Sequence, residues 1–320
     1  YNDPILSYSI YLFINDEVAN TYNIQLPDEL DLAQLEGMLQ LVSDKSHDDL
    51  VPLYIEFQPE YFKELSGYDF LENGIAAGYD DNGNPYVLNP FEQANIISLM
   101  ETLAHYSNQG YLRMYEEEDI ETREMIENGQ FLAIASSASP LNYLDGVLDM
   151  GNYNLQVVGY KLVDTFVVHL PNAIHGVTSW SEHKDEAFKL LMLLNTDSDL
   201  SNLLYHGIEG KHYTLVEGKI VPGEGEQRVP GFHSPANEML THPIGNEPIN
   251  KEEVYREWNK NFQMSPIAGF TLDDANISTE LNAVKQIYDK YQGLWWGDEQ
   301  DVANQLAKAN EELREVGLDK

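Results

Sequence analysis

HKDEAFKLLMLLNTDSDLSNLLYHGIEGKHYTLVEGKI, residues 183–220, is the stretch from which the rest of the chain is best read. Phe188, Leu191, Met192 and Leu194 recur at three- and four-residue spacing, which predicts a helix. Thr196-Asp197-Ser198-Asp199 then supplies side-chain oxygens able to accept from the free N–H groups of a new helix. That second helix is short, carries Leu200, Leu203 and Leu204 on one face, and ends near Gly207. Tyr213 to Ile220 reads as two short strands around Glu217-Gly218.

Working outward, Ile5 to Ile14 (ILSYSIYLFI) is rich in β-formers and reads as a strand that stops at Asn15-Asp16. A helix with Leu32, Leu35, Met38, Leu39 and Val42 on one face opens after Pro27-Asp28-Glu29. Val51 to Phe57 is a strand. Asn82-Gly83 predicts a tight turn between two short strands. Residues 91–109 form a helix with Ala94, Ile97, Leu103 and Ala104 inward and Asn89 as its N-cap. Glu124 to Ile134 gives a helix end, a Gly129 cap and a buried strand that runs into Ser136, Ser137, Ala138 and Ser139. Tyr153–Leu162 and Val163–Pro171 read as two further strands, and residues 221–248, rich in Pro and Gly, as loop. Helices follow at 251–261, 279–291 and 298–316, the second with Leu281, Val284, Ile287, Tyr288 and Tyr291 in one stripe.

Composition removes several function classes. With 54 acidic and 18 basic residues the formal charge is −36, a field that repels phosphate backbones, so no nucleic-acid partner is expected. Cysteine is absent, which excludes disulfides, thiolate metal sites and a Cys nucleophile. No apolar run reaches the ~18 residues of a membrane span. Catalytic signatures are missing as well: no G-x-S-x-G elbow, no H-E-x-x-H, no phosphate-binding glycine loop. Asp80, Asn82 and Asn84 have calcium-loop spacing, but Pro85 and Phe91 stand where that loop needs Gly and an acid. No catalytic residue, metal or cofactor is therefore assigned. The positive signal is aromatic: 20 Tyr, 11 Phe and 4 Trp. A tyrosine ring can lie on the apolar face of a sugar while its hydroxyl hydrogen-bonds.

The opening stretch resembles the family 1 extracellular solute-binding proteins of ABC importers, in particular a lipoprotein subgroup. Their pattern, small residues–Thr–Ser…A-x-x-LL-x-LLNTD…L-x-NLL-x-x-GIEGKHY, is met here by residues 176–179, Ala187, 190–197, 202–204 and 207–213. Residues 124–134 and the turn Ser265-Pro266…Gly269-Phe270 fit as well. Residues 230–239 depart from it, lacking the Trp and Gly-Asn that close relatives carry.

The resemblance implies an α/β, two-lobe, type II periplasmic-binding-protein-like fold with an incomplete N-terminal lobe. It divides the chain into an N-lobe remnant and first crossover (1–11), the C-lobe (12–158), an N-lobe return segment (159–235) and a third crossover with closing helices (236–320). It implies a monomer that captures a saccharide or oligosaccharide between its lobes, performs no chemistry, and hands the ligand to ABC permease subunits. An N-terminal lipid anchor upstream of Tyr1 would hold it outside the membrane of a Gram-positive-like bacterium. By position, the implied ligand residues are Tyr8, Tyr11, Glu56, Gln58, Tyr61, Ser136, Ser137, Tyr143, Phe232 and His233. Lys211 and His212 look like ligand residues too, yet their place between packing helices and a hairpin favours a structural role. A secreted carbohydrate-active enzyme, a binder of peptides or other non-sugar solutes, and a surface interaction module remain alternatives.

Overall fold

β1 (Ser9–Asn15, SIYLFIN) is the middle of the molecule's main sheet in the computed structural model. The structure describes residues 9–46, 49–56, 65–70, 75–80, 82–114, 120–139, 142–144, 146–149, 154–164, 175–223, 236–245, 247–260, 265, 267, 275–297 and 301–318. Ile10, Leu12, Phe13 and Ile14 are fully buried, so β1 is a near-continuous apolar run of the kind that needs cover on both faces. It is flanked antiparallel by β7 (Phe131–Ala138) and β10 (Asn154–Asp164). β2 (Val51–Ile55) pairs parallel with β7 on one side and with β6 (Leu112–Met114) on the other. Five strands of this seven-stranded sheet run in the order β6-β2-β7-β1-β10. A second sheet, β3-β4-β5, is formed by Asp69–Phe70, Ala76–Tyr79 and Pro85–Leu88.

Local sequence explains how these strands connect. Asn15 ends β1 and at once caps α1 (Asp16–Thr21): its Oδ1 accepts from the Glu17 and Val18 amides, while its Nδ2 donates to Gly129 O at 2.9 Å. Asp31 and Gln34 form a reciprocal capping box ahead of α2 (Glu36–Ser46), which buries Leu39 and Val42 behind Leu32 and Leu35. Asn89 accepts from the Phe91 amide as expected. The following helix, α3 (Ala94–Asn108), begins later than expected; Leu103 and Ala104 are buried as expected, together with Ile96, Met100 and Tyr106, while Ile97 is half-buried and Ala94 exposed. α4 (Ile120–Glu127) ends at Gly129, whose φ of +73° permits the turn into β7.

The chain divides into two compact units. One takes in residues 9–138, 150–166 and 264–320 and holds both sheets described above. Its core includes α8 (Ser278–Lys290), α9 (Gly293–Trp296) and α10 (Val302–Glu315). The expected stripe Leu281, Val284, Ile287, Tyr288 and Tyr291 is buried, and Trp295 packs against Phe70 and Phe91. The other unit takes in 1–8, 139–149 and 167–263. It contains the hairpin β8-β9 (Tyr143–Leu144, Val147–Asp149), α5 (Lys184–Thr196), α6 (Ser198–His206), the hairpin β11-β12 (Tyr213–Val216, Lys219–Pro222) and α7 (Lys251–Asn259). Change-overs between units fall at 8/9, 138/139, 149/150, 166/167 and 263/264, whereas the sequence reading drew boundaries at 11/12, 158/159 and 235/236.

Several sequence expectations are corrected here. β10 continues past Leu162 to Asp164, with Val163 pairing to Ile10 across a bulge, so the expected break at 162/163 is absent; residues 165–171 of the second expected strand lie outside the described residues. Residues 175–178 have no regular structure. The turn at Asn82-Gly83 is a five-residue loop, 80–84, because Asp80 braces it: one carboxylate oxygen accepts from the Asn82 and Asn84 amides and the other from Asn84 Nδ2. In α6 the buried face is displaced from the expected one: Ser201, Asn202, Tyr205 and His206 are buried, Leu200 and Leu204 are half-buried and Leu203 is half exposed.

Candidate functional site

In β2, β7 and β10 the chain runs the same way, and the chain enters β1 at their carboxyl ends. The carboxyl edge of an open α/β sheet is where backbone ends and loops can be turned toward a ligand. Register decides which side chains meet there. Tyr11 lies opposite Ser136 on β7 and opposite Lys161 on β10, and directly paired residues share a face. Glu56 follows β2, its amide donating to Ala135 O at 3.1 Å, which sets its side chain level with Ser136. Glu56, Ser136, Tyr11 and Lys161 therefore form one row across four adjacent strands, on the order of 14 Å wide at ~4.8 Å per strand.

The row is internally braced. Ser136 Oγ donates to Glu56 Oε2. The Tyr11 ring stacks on Phe13, with centroids 5.5 Å apart and planes 13° off parallel. Phe13 is fully buried and Tyr11 half-buried, so the stack holds the Tyr11 ring against a rigid ring beneath it. Glu56 is open to solvent as a residue, yet desolvation holds its carboxyl above the ordinary carboxylate range, with the Ser136 bond pulling the other way. Chemically, the row offers an acceptor, a hydroxyl, a flat ring and an ammonium group. That set matches a polyol with one apolar face.

The structure distributes the residues expected at the site as follows. Tyr11, Glu56 and Ser136 come together. Ser137 sits one residue further along β7 and so faces the other side of the sheet, opposite Ile10. Tyr143 belongs to the other unit, where its amide donates to Ser139 O at 3.0 Å. Tyr8, Gln58, Tyr61, Phe232 and His233 lie outside the described residues. Lys161 escaped the sequence reading, since only the antiparallel register of β1 and β10 places it beside Tyr11. Alternation could have found Phe13, two residues after Tyr11.

His212 proves structural in its contacts: its Nδ1 accepts from the Ile208 amide at 2.9 Å and its carbonyl accepts from the Gly223 amide at 2.8 Å. A cavity of about 320 Å³ lies at the opposite, amino end of β2, lined by Ser43, Ser46, Arg113, Glu121 and Thr122 among others. No aromatic ring lines it. Among the described residues, no group of three or more His, Asp or Glu is placed to hold a metal ion, and no helix is long and apolar enough to cross a membrane.

With this geometry, known structures can be compared. The N-glycan transport solute binding protein NgtS of Streptococcus pneumoniae superposes with a TM-score of 0.68 at 18% identity, over 98% of this chain and 72% of that one. Its complex with Man1GlcNAc gives 0.65, also at 18% identity, over 98% and 70%. The fold is that of the two-lobe solute-binding proteins. An extracellular solute-binding protein of Bifidobacterium longum subsp. infantis shares the solute-binding fold more distantly, with a TM-score of 0.55 at 14% identity over 100% of this chain and 73% of that one. In sequence, the chain is 22% identical over 296 residues to a carbohydrate ABC transporter substrate-binding protein of Streptococcus pneumoniae serotype 4, covering 87% of this chain. The chain spans 57% of the length of that curated relative. Residues 266–320, which include α8 to α10, match the family model described as a domain of unknown function, DUF3502.

Proposed function

We propose that this chain is part of the substrate-binding component of a carbohydrate ABC importer, and that it holds a saccharide on the Glu56–Ser136–Tyr11–Lys161 row. The observation that carries this reading is the half-buried Tyr11 ring, stacked on buried Phe13 and flanked in register by the Ser136–Glu56 pair. The ring takes the C–H face of a pyranose. Glu56 accepts from sugar hydroxyls, and Lys161 donates to a ring or hydroxyl oxygen. Among the described residues the row carries one carboxylate, Glu56, rather than the facing pair of a glycosidase, and that carboxylate is engaged by Ser136, so capture without chemistry is the reading it favours.

Several finer statements belong to the same proposal: the ligand passes to permease subunits, the protein works outside the cell membrane, and a lipid anchor and a monomeric state go with that role. In a two-lobe fold, ligand drives closure only through contacts made better in the closed state. The curated relative, described as a carbohydrate transporter component, and the NgtS complex with Man1GlcNAc support saccharide over peptide.

A thermal-shift screen against mono- and oligosaccharides, followed by chromatography of the recovered sugar, tests the proposal. Ligand at one hundred times its dissociation constant adds ~2.7 kcal/mol of stability. A rise in Tm with the sugar recovered intact is expected. A shift with peptides alone would overturn the saccharide reading, and hydrolysed sugar would overturn the binding-only one.

A further inference from the structure

Asp69 on β3 is 2% exposed, and its two carboxylate oxygens have unequal surroundings. Oδ2 accepts from the Ser265 hydroxyl at 2.6 Å and from the hydroxyl of Tyr79, the last residue of β4. Oδ1 is fully enclosed, yet it has no hydrogen-bond partner among the described residues. No lysine, arginine or histidine among them pairs with Asp69 either. A buried carboxylate without a cation is costly, and an oxygen that receives no donor adds to the cost. Three partners could relieve it: a proton, a water or a cation. Two hydroxyls donate to this carboxyl, the arrangement that stabilises an anion rather than a neutral acid. A water needs two to four polar partners and leaves the charge uncompensated. A cation satisfies Oδ1 and the charge together.

We propose that Asp69 Oδ1 binds a monovalent cation, sodium or potassium. The Ser265 and Tyr79 hydroxyls direct their hydrogens to Oδ2, so their oxygens face the ion with lone pairs. A calcium ion takes six to eight oxygens, several of them from carboxylates. Among the described residues no group of three or more His, Asp or Glu is placed to supply them. One carboxylate and one monovalent charge match. The formal charge of −36 raises the cation concentration around the protein and favours occupancy. Ser265 directly precedes residues 266–320, the segment matched to DUF3502. The ion therefore fastens the start of the closing helical segment to β3 and β4, within one compact unit.

The proposal is independent of which solute the protein binds, and so is its test. Melting of the full-length protein is compared in sodium, potassium and N-methyl-D-glucamine chloride at equal ionic strength, which screens the acidic surface alike in all three. Tm should be several degrees higher in one or both alkali salts and should rise saturably with alkali concentration. Asp69→Asn keeps an acceptor for both hydroxyls but lacks the charge, so its Tm should be the same in the three salts. Glu101→Gln, which removes an exposed carboxylate, should respond as the wild type does. Ser265→Ala keeps the carboxylate and removes one oxygen, and should move the half-saturating alkali concentration upward severalfold, a readout that stands even where Asp69→Asn does not fold. Equal Tm of the wild type in the three salts would overturn the proposal. So would an alkali dependence that survives Asp69→Asn, or one that Ser265→Ala leaves unmoved.

Discussion

Ser136 on β7 donates its hydroxyl hydrogen to the carboxylate of Glu56, which follows the neighbouring parallel strand β2. The bond joins two strand ends at the carboxyl edge of the sheet and sets Glu56 beside Tyr11. Burial raises the Glu56 pKa above the ordinary value of 4.5, so the folded protein holds this proton more tightly than the unfolded chain does. Linkage then fixes the sign. This contribution to stability is most favourable at low pH, falls as pH rises from 4.5 to the folded value, and levels beyond it.

Glu56→Gln should consequently raise Tm at neutral pH and remove that part of the pH dependence. The same change should weaken saccharide binding by ~10–100-fold, the loss of a charged hydrogen bond worth about 1.5–3 kcal/mol. Thermal melts from pH 4 to 8, with and without sugar, check both halves. A variant less stable at pH 7 than the wild type would contradict the assignment.

Gly207 ends α6 at φ +84° and ψ −139°, a region open almost only to glycine, and a Cβ there would run into the His212 imidazole. Gly207→Ala should cost about 2–3 kcal/mol, measured by urea unfolding. His212→Ala removes the acceptor for the Ile208 amide but also the obstruction, so in its background the Gly207→Ala penalty should shrink.

Lys251 begins α7 almost wholly buried, and its ammonium donates to Thr241 Oγ1 at 2.8 Å and to Glu247 at 3.2 Å. Glu247 also accepts from the Ile244 amide. Lys251→Met leaves a buried carboxylate without its cation and should cost ~3–5 kcal/mol. The double change Lys251→Met/Glu247→Gln should cost less than the sum of its parts, as a double-mutant cycle would show.

Ser265 reaches back from the start of the closing segment to Asp69 on β3, donating to Oδ2 at 2.6 Å beside the Tyr79 hydroxyl. Burial and the Asp69 carboxylate push the Tyr79 pKa up to about 12. Asp69→Ala removes the acceptor of buried Ser265 and half-buried Tyr79 and should destabilise by ~2–4 kcal/mol, more than Ser265→Ala, which removes one of the two bonds. With Asp69 gone, Tyr79 should titrate closer to 10 in an ultraviolet pH scan.

The helix pair and hairpin of residues 183–222 were legible because each boundary carries its own chemistry: Asp197 as N-cap, Gly207 as stop, and Glu217-Gly218 at positive φ. Their burial was not legible. Periodicity says that α5 has apolar faces but not what covers them, and in this chain most of that surface stays open. Leu103 and Ala104 are buried as expected in α3, while Ala94 is exposed: Phe91 is held in a separate 3-10 turn by the Asn89 cap, which delays the helix to Ala94. At the site, Tyr11, Glu56 and Ser136 came from family position, and register then joined them. Lys161 is 150 residues from Tyr11 in sequence, and no local pattern links them. The bulge between Ile10 and Tyr11 shifts the pairing as well, so even correct strands would not have placed it.

The most direct test of saccharide capture on this row is titration calorimetry of the wild type and Tyr11→Ala with the oligosaccharide that gives the largest thermal shift. The account predicts one site per chain, a negative heat-capacity change from burial of the sugar's apolar face, and affinity at least tenfold weaker in Tyr11→Ala. Undiminished binding by Tyr11→Ala, with the fold intact by circular dichroism, would contradict it.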